Sequence, residues 1–236
     1  MSTSVRPYSP ADRDAIRYIC CETGFSGNPI DPLFSDREVF ADFLTRYYTD
    51  WEPESSWVAE VDGRVVGYLL ACARYRYHKW AEFCILASLV PKVLWRLIRG
   101  RYDVPTKKYL HWCLTNGRKE TPAAPKQSAH FHFNILPEYR NSGLGMQLVK
   151  TMVNNLRARG VKQVYGQIQT FEDRRTERVF NKYDFHTLDR REVTKFQDYI
   201  GHKVYLSTMV LDLTGNSRLF RDAAYSVRTQ DDASAG

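Results

Sequence analysis

One stretch of the 236-residue chain limits the fold more than any other, and it runs from Ala129 to Val149. It opens as His-Phe-His-Phe-Asn-Ile, an alternation of period two that predicts a strand over 129–136. Pro137 and the residues after it turn the chain. Arg140, Asn141, Ser142 and Gly143 then lead directly into an amphipathic helix from about Leu144 to Arg159, closed by Gly160. A helix N-terminus offers unpaired N–H groups and roughly half a positive charge. Gly143 and Gly145 carry no side chain, so an anion can approach the backbone closely. Arg140 adds a fixed cation. The unit suits a phosphate-bearing ligand, and it equally suits a plain strand-to-helix turn. It is not a P-loop, because no Gly-Lys-Ser/Thr follows. It is not the dinucleotide fingerprint, because no third glycine stands three residues on.

The rest of the chain alternates between elements of both kinds. Ser9 and Pro10 start a helix that Gly24 ends. After a loop over 25–35, a second helix runs from about Asp36 to Tyr48, with Val39, Phe40, Phe43, Leu44 and Tyr47 on one face. Trp57 to Val61 and Arg64 to Ala73 form a hairpin about Asp62-Gly63. The second of these strands is apolar enough for burial on both faces. Residues 74–127 form an insert. Within it Pro91 splits an apolar stretch, 83–99, into two short helices. The second, Lys92 to Arg99, is basic and amphipathic. It reads as a packed helix, a lid, a substrate wall or a membrane-surface patch. Thr115 to Gln127 reads as a loop. A strand over 164–168, a helix over 173–183, and strands over 186–195 and 202–211 complete the pattern. A polar tail follows over 214–236.

This order is that of one α/β domain with a central, partly parallel sheet and helices on both faces, over 1–213. Thirty-four Lys and Arg against 27 Asp and Glu leave a formal charge of +7. The charge is spread out rather than massed in an arm, so no nucleic-acid partner is expected. Five cysteines, odd in number and without a CxxC pair, read as reduced thiols, and no metal site is expected. No apolar signal region or transmembrane run is found, so the expected compartment is the cytoplasm.

Arg140-x-x-Gly143-x-Gly145, placed between a strand and an amphipathic helix, resembles the CoA-binding signature of the Gcn5-related N-acetyltransferases. The surrounding HFHFNILPEYRNSGLG strengthens the likeness to bacterial members. So does Phe180-Asn-Lys-Tyr-Asp-Phe185, which stands where the family has Tyr-x-x-Leu-Gly-Phe. The likeness extends over about residues 4–213 and is weakest over 74–127. It implies a mixed, mostly antiparallel sheet whose two central parallel strands splay apart. It implies acetyl-CoA, or another acyl-CoA, as co-substrate, with the diphosphate on the backbone of Arg140, Asn141, Ser142, Gly143, Leu144 and Gly145. The pantetheine would lie between 134–136 and 164–167. An N–H near Ile135 or Leu136 would face the thioester oxygen. Asp173 and Phe180 would lie beside the same ligand.

The acid and base are less defined. The family often has a proton-donating Tyr where this chain has Phe180, which has no proton to give. Tyr183, nearby, is the substitute or else a core residue. His130, His132 and Asn134 share one face of their strand. They line the substrate if that face is the cleft, and are core residues if helices cover it. Glu172 or Asp173 could act through water. Arg174, Arg175 and Arg178 suit a 3′-phosphate or a solvated helix face. Tyr75, Tyr77, His78 and Trp80 read as a packed aromatic cluster. The first reading is therefore an N-acyltransferase acting on a small amine, as a monomer or homodimer. One rival is a CoA-binding protein that has lost catalysis, as Phe180 would allow. Another is a membrane-surface enzyme for longer acyl chains.

Overall fold

The computed structural model describes residues 2–172, 178–181 and 183–215. Seven strands form one sheet in the order β1-β2-β3-β4-β5-β7-β6. They are β1 (Thr3–Pro7), β2 (Ser56–Val61), β3 (Arg64–Cys72), β4 (Ala129–Ile135), β5 (Gln163–Thr170), β6 (His186–Glu192) and β7 (Tyr205–Asp212). All neighbours are antiparallel except β4 and β5. The hairpin turn is as expected: Asp62 and Gly63 both take positive φ, 48° and 79°, which a two-residue turn of this hand requires.

Four helices lie between the strands on the N-terminal side of β4: α1 (Arg13–Thr23), α2 (Arg37–Asp50), α3 (Tyr75–Ile98) and α4 (Val104–Thr115). A short α5 (Gly117–Glu120) follows them. On one face of the sheet, Ile16, Ile19, Phe40 and Tyr47 pack with Tyr68, Leu70 and Cys72. On the other, α6 (Leu144–Ala158) sets Leu144, Leu148, Met152 and Leu156 against Leu69, Ala71, Val164 and Leu211. The two clusters take alternate residues of β3, which is why that strand has no polar side. Glu52 joins α2 to β3. Its carboxylate has no solvent exposure and accepts from Tyr47 Oη (2.5 Å), Ser55 Oγ (2.7 Å) and the Ala73 N–H (2.9 Å).

Two expectations change, and two others fall largely outside the described residues. Pro91 does not split the insert: α3 is one 24-residue helix that contains it. Pro91 is exposed there, and it takes one backbone bond from the helix without ending it. Residues 115–127 are not all loop, because α5 falls among them and Glu120 is pinned by the Thr194 N–H (2.7 Å), Asn116 Nδ2 (2.9 Å) and Trp112 Nε1 (2.8 Å). Of the helix expected over 173–183, the structure describes α7 (Arg178–Asn181). The expected tail lies almost wholly outside the described residues.

Candidate active site

β4 and β5 pair only over Ala129↔Val164, His130↔Tyr165 and Phe131↔Gly166. Past Gly166 they part, while β4 stays paired with β3 as far as Gly67↔Ile135. The gap therefore starts at His132 on one side and Gln167 on the other. It does not include Val164 to Gly166, which were expected to line it. Gly166 marks the vertex, where a Cβ would stand 2.7 Å from the Phe131 ring.

Backbone polarity decides which groups face the gap. The Leu136 N–H donates to the Val66 carbonyl at 2.9 Å. Hydrogen-bonding direction alternates along an antiparallel strand, so residues 132, 134 and 136 spend their amides on β3. Those of Phe133 and Ile135 point toward β5. Leu136 is thus excluded as the oxyanion donor, and Phe133, unforeseen, joins Ile135 as a candidate.

At the open end of the gap stands the glycine loop. Gly143 has φ 79°, a left-handed conformation that glycine holds without strain. Ser142 donates its hydroxyl to the Tyr139 carbonyl (2.6 Å), and the Leu144 N–H reaches Ser142 Oγ at 3.4 Å. Among the described residues, the N–H groups of Asn141, Gly143 and Gly145 have no partner. Three free donors thus fall within five residues of the loop and first turn that open α6, the kind of terminus at which anions bind. Gly145 has a second reason to be small: a Cβ would lie 3.2 Å from the Phe133 ring. Arg140 stands beside them, exposed, with Nη2 on the Gly27 carbonyl (2.6 Å) and Nε 3.4 Å from the Ile135 carbonyl. Leu144 side-chain atoms are fully buried, so this residue can offer only its backbone.

Gap and glycine loop open into a cavity of about 1170 Å³ between the sheet, α2, α3 and the β6–β7 connection. His130, His132 and Asn134 all line it, so the strand face in question is both cleft and helix-covered. They are not equivalent. Asn134 Nδ2 donates to Tyr68 Oη (2.8 Å) and lies 3.2 Å from His132 Nε2. With the amide donating, Nε2 of His132 is an acceptor already in use, and its Nδ1 is buried without a partner. His130 keeps Nδ1 buried and unpartnered, but among the described residues no bond holds its Nε2, which is left to the cavity. Its ring lies 4.6 Å from that of His78, 5.6 Å from Tyr165 and 6.0 Å from Tyr48. Burial, then the nearby His78 and His132, pushes the His130 pKa down to about 3. Burial alone pushes His132 down to about 4. Both rings are neutral at pH 7.

Phe180 and Tyr183 line the cavity and pack on the cluster beneath α6. Asp173, Arg174 and Arg175 lie outside the described residues, as does the Arg178 side chain. Glu172 is an exposed acceptor for Tyr205 Oη (2.7 Å), not a cavity group. The expected aromatic cluster of the insert is there, with Tyr77 and Trp80 on Trp51 and His78 on Tyr47. Sequence reading missed Tyr48, Gln169 and Lys195, which line the cavity together with Tyr165 and Gln167 of the expected 164–167 edge. Lys195 lies 4.9 Å from the Trp112 ring, 5.0 Å from Phe196 and 5.5 Å from Tyr109. Burial lowers its pKa to about 8. No motif marks these residues, since only the folded sheet gathers them. Among the described residues no cluster of His, Cys, Asp and Glu could hold a metal.

No family model matches the chain, and no curated protein matches it in sequence. Solved structures do. A protein described as SsHAT shares 27% identity at a TM-score of 0.60, over 90% of this chain and 99% of that one. A polyamine N-acetyltransferase of Drosophila melanogaster shares 15% at 0.54, over 89% and 100%. The putative acetyltransferase yncA of Salmonella typhimurium, solved with its cofactor acetyl-CoA, shares 15% at 0.53, over 92% and 96%. At 15% identity the likeness is one of fold. The chain thus has the fold of these acetyltransferases, with the parted parallel strands and the glycine loop at their open end that likeness to the Gcn5-related N-acetyltransferases implied.

Proposed function

We propose that the protein is an acyl-CoA-dependent N-acetyltransferase acting on a small-molecule amine. One observation carries the reading. The β4/β5 gap, edged by the inward-facing amides of Phe133 and Ile135, ends at three N–H groups, of Asn141, Gly143 and Gly145, that have no partner among the described residues and lie in the loop and first turn that open α6. An extended chain of amides tipped by a diphosphate is the ligand that fits both parts. The Salmonella protein of the same fold is described with acetyl-CoA, and the Drosophila one acts on polyamines, which agrees with an amine acceptor here.

In this reading the loop from Arg140 to Gly145 holds the diphosphate and the thioester lies near the vertex of the gap. The amide of Phe133 or Ile135 faces the thioester oxygen, where it stabilises the charge that develops on attack. The acceptor amine enters from the cavity side. Its nitrogen bonds to the acyl carbon, the carbon–sulfur bond breaks, and CoA leaves as the thiolate. His130 accepts a hydrogen bond from the amine, directly or through water, at Nε2, the ring nitrogen left to the cavity, and the proton the amine gives up passes on to solvent, because a ring whose pKa is about 3 does not keep it. His132 and Asn134 hold each other and shape the wall. A thiolate whose acid has a pKa of roughly 8.5 leaves without full protonation, so Phe180 is compatible with turnover.

The test is calorimetric titration with acetyl-CoA, CoA and a long-chain acyl-CoA, followed by an amine screen. Acetyl-CoA is expected to bind to the native protein. Gly143→Glu is expected to weaken it at least about 100-fold, or roughly 2.7 kcal/mol, through left-handed strain and carboxylate repulsion. A folded protein that binds none of the three ligands would refute the proposal. Binding without transfer to any amine would leave the non-catalytic alternative.

A further inference from the structure

The outer face of α3 is apolar where a surface helix should be polar. Its inner face is conventional: Ala81, Ile85 and Leu89 are buried on the core, and Tyr75, His78 and Glu82 line the cavity. On the opposite side Trp80, Phe83, Val90, Leu94, Leu97 and Ile98 are all exposed, Phe83 at 69% and Ile98 at 83%. They recur at helical spacing and run nearly the full length of the helix, about 36 Å. A helix apolar on both faces is ordinarily covered on both, and an exposed patch of this kind marks an interaction surface.

The charges around the stripe select what covers it. Cations stand at both ends: Arg76 and Lys79 at the start, Arg99 and Arg101 just past the finish, the latter two over the Trp95 ring at 5.1 and 4.8 Å. Among the described residues, none of the four has an ion pair. The cations that α3 does pair, Lys92 and Arg96, sit on Glu38 and Asp36 toward the core side. Glu82 is the acidic residue of α3, and it faces the cavity. A second copy of the chain fits poorly. Two-fold antiparallel pairing would set Arg76 and Lys79 against the partner's own Arg99 and Arg101, and parallel pairing would set each cation on itself. An anionic lipid surface satisfies both features, because acyl chains take the stripe and headgroups take the cations at its ends. Trp80 and Trp95 have the amphipathic character suited to the boundary between them.

We infer that α3 lies on an anionic membrane surface, inserting its Trp80–Ile98 stripe between cations at either end. The inference stands apart from the proposed chemistry. Because the same helix walls the cavity, it would place the acceptor entrance close to the bilayer.

The full chain is mixed with vesicles of phosphatidylglycerol and phosphatidylcholine, or of phosphatidylcholine alone, and sedimented. Native protein is expected to pellet with the anionic vesicles and stay in solution with the neutral ones, with a blue shift of tryptophan emission on binding. Phe83→Glu/Leu94→Glu is expected to stay in solution with both. Its circular dichroism and thermal melt should match native, because both side chains are exposed. Arg99→Glu/Arg101→Glu is expected to bind at least about tenfold more weakly. Absence of vesicle binding, equal binding to neutral vesicles, or binding that the stripe variant retains would each overturn the inference. So would a dimer in sedimentation velocity that the stripe variant converts to monomer, since the stripe would then belong to a second copy.

Discussion

His130 and Leu136 mark the reach and the limit of reading single residues. Both lie in a motif plain in the sequence, and both were candidates for chemistry. Leu136 fails because its amide is committed to Val66. That commitment depends on which strand lies beside β4 and in what register, which no local pattern carries. His130 gains because its neighbour His132 is tied to Asn134 and it is not. Alternation placed all three on one face, but only the folded cavity separates their roles. His130→Ala is therefore expected to lower kcat by about 100-fold with the acetyl-CoA KM nearly unchanged, whereas loss of an indirect packing role would raise KM as well. With its pKa held down to about 3, His130 contributes no inflection near pH 6.5 to kcat/KM. A profile of the native enzyme from pH 5 to 9 checks this, and an inflection near 6.5 that His130→Ala removes would contradict it.

At the scale of elements, the legible ones carry a local signal. The Asp62-Gly63 turn, the β4–α6 unit and α2 with its Asp36 cap all announce themselves by turn chemistry or period. Helix α4 does not, because Tyr109 and Trp112 pack inward while Val104 and Leu114 are exposed, so its apolar residues follow no single stripe. Its one local mark is the cap, where the Asp103 carboxylate accepts the Thr106 N–H at 2.9 Å. β1 was missed because five residues with polar alternates carry little period of their own; pairing with β2 makes them a strand. Pro91 misled in the other direction. A proline breaks a helix only if the lost bond and the ring clash outweigh the packing on either side, and α3 is anchored both before it and after it. Pro91→Ala restores the N–H that can reach the Ala87 carbonyl. It is expected to stabilise the protein by about 1–3 kcal/mol in urea denaturation.

For the molecule as a whole, element order was enough to give the sheet its mixed character. The parting of its two central strands was foreseen only through likeness to a known family. Composition says nothing of the two buried histidines and their effect on acid stability. In the unfolded chain each has a pKa near 6.5, against about 3 and about 4 when folded. The unfolded state therefore binds more protons throughout that interval. Their contribution is complete above about pH 6.5 and is lost progressively as pH falls toward 3. The free energy of unfolding is expected to decline on acidification from pH 7 to pH 4, and His130→Phe/His132→Phe should flatten that decline. A double variant as acid-sensitive as the native protein would place the loss in the carboxylates instead.

A sheet with parted strands is an unfinished ladder at the centre of the molecule. The amides of Phe133 and Ile135 belong by position to the most protected part of any such fold. Yet no neighbouring strand shields them from exchange with deuterium. In the free protein these two amides should exchange far faster than those of Tyr68 and Leu70 on the adjoining strand. A guest that lays its own amides along β4 becomes the missing rung, so its arrival should be read as a sudden slowing at those two positions. The interior of the sheet would then report occupancy more directly than the surface loop that first meets the ligand.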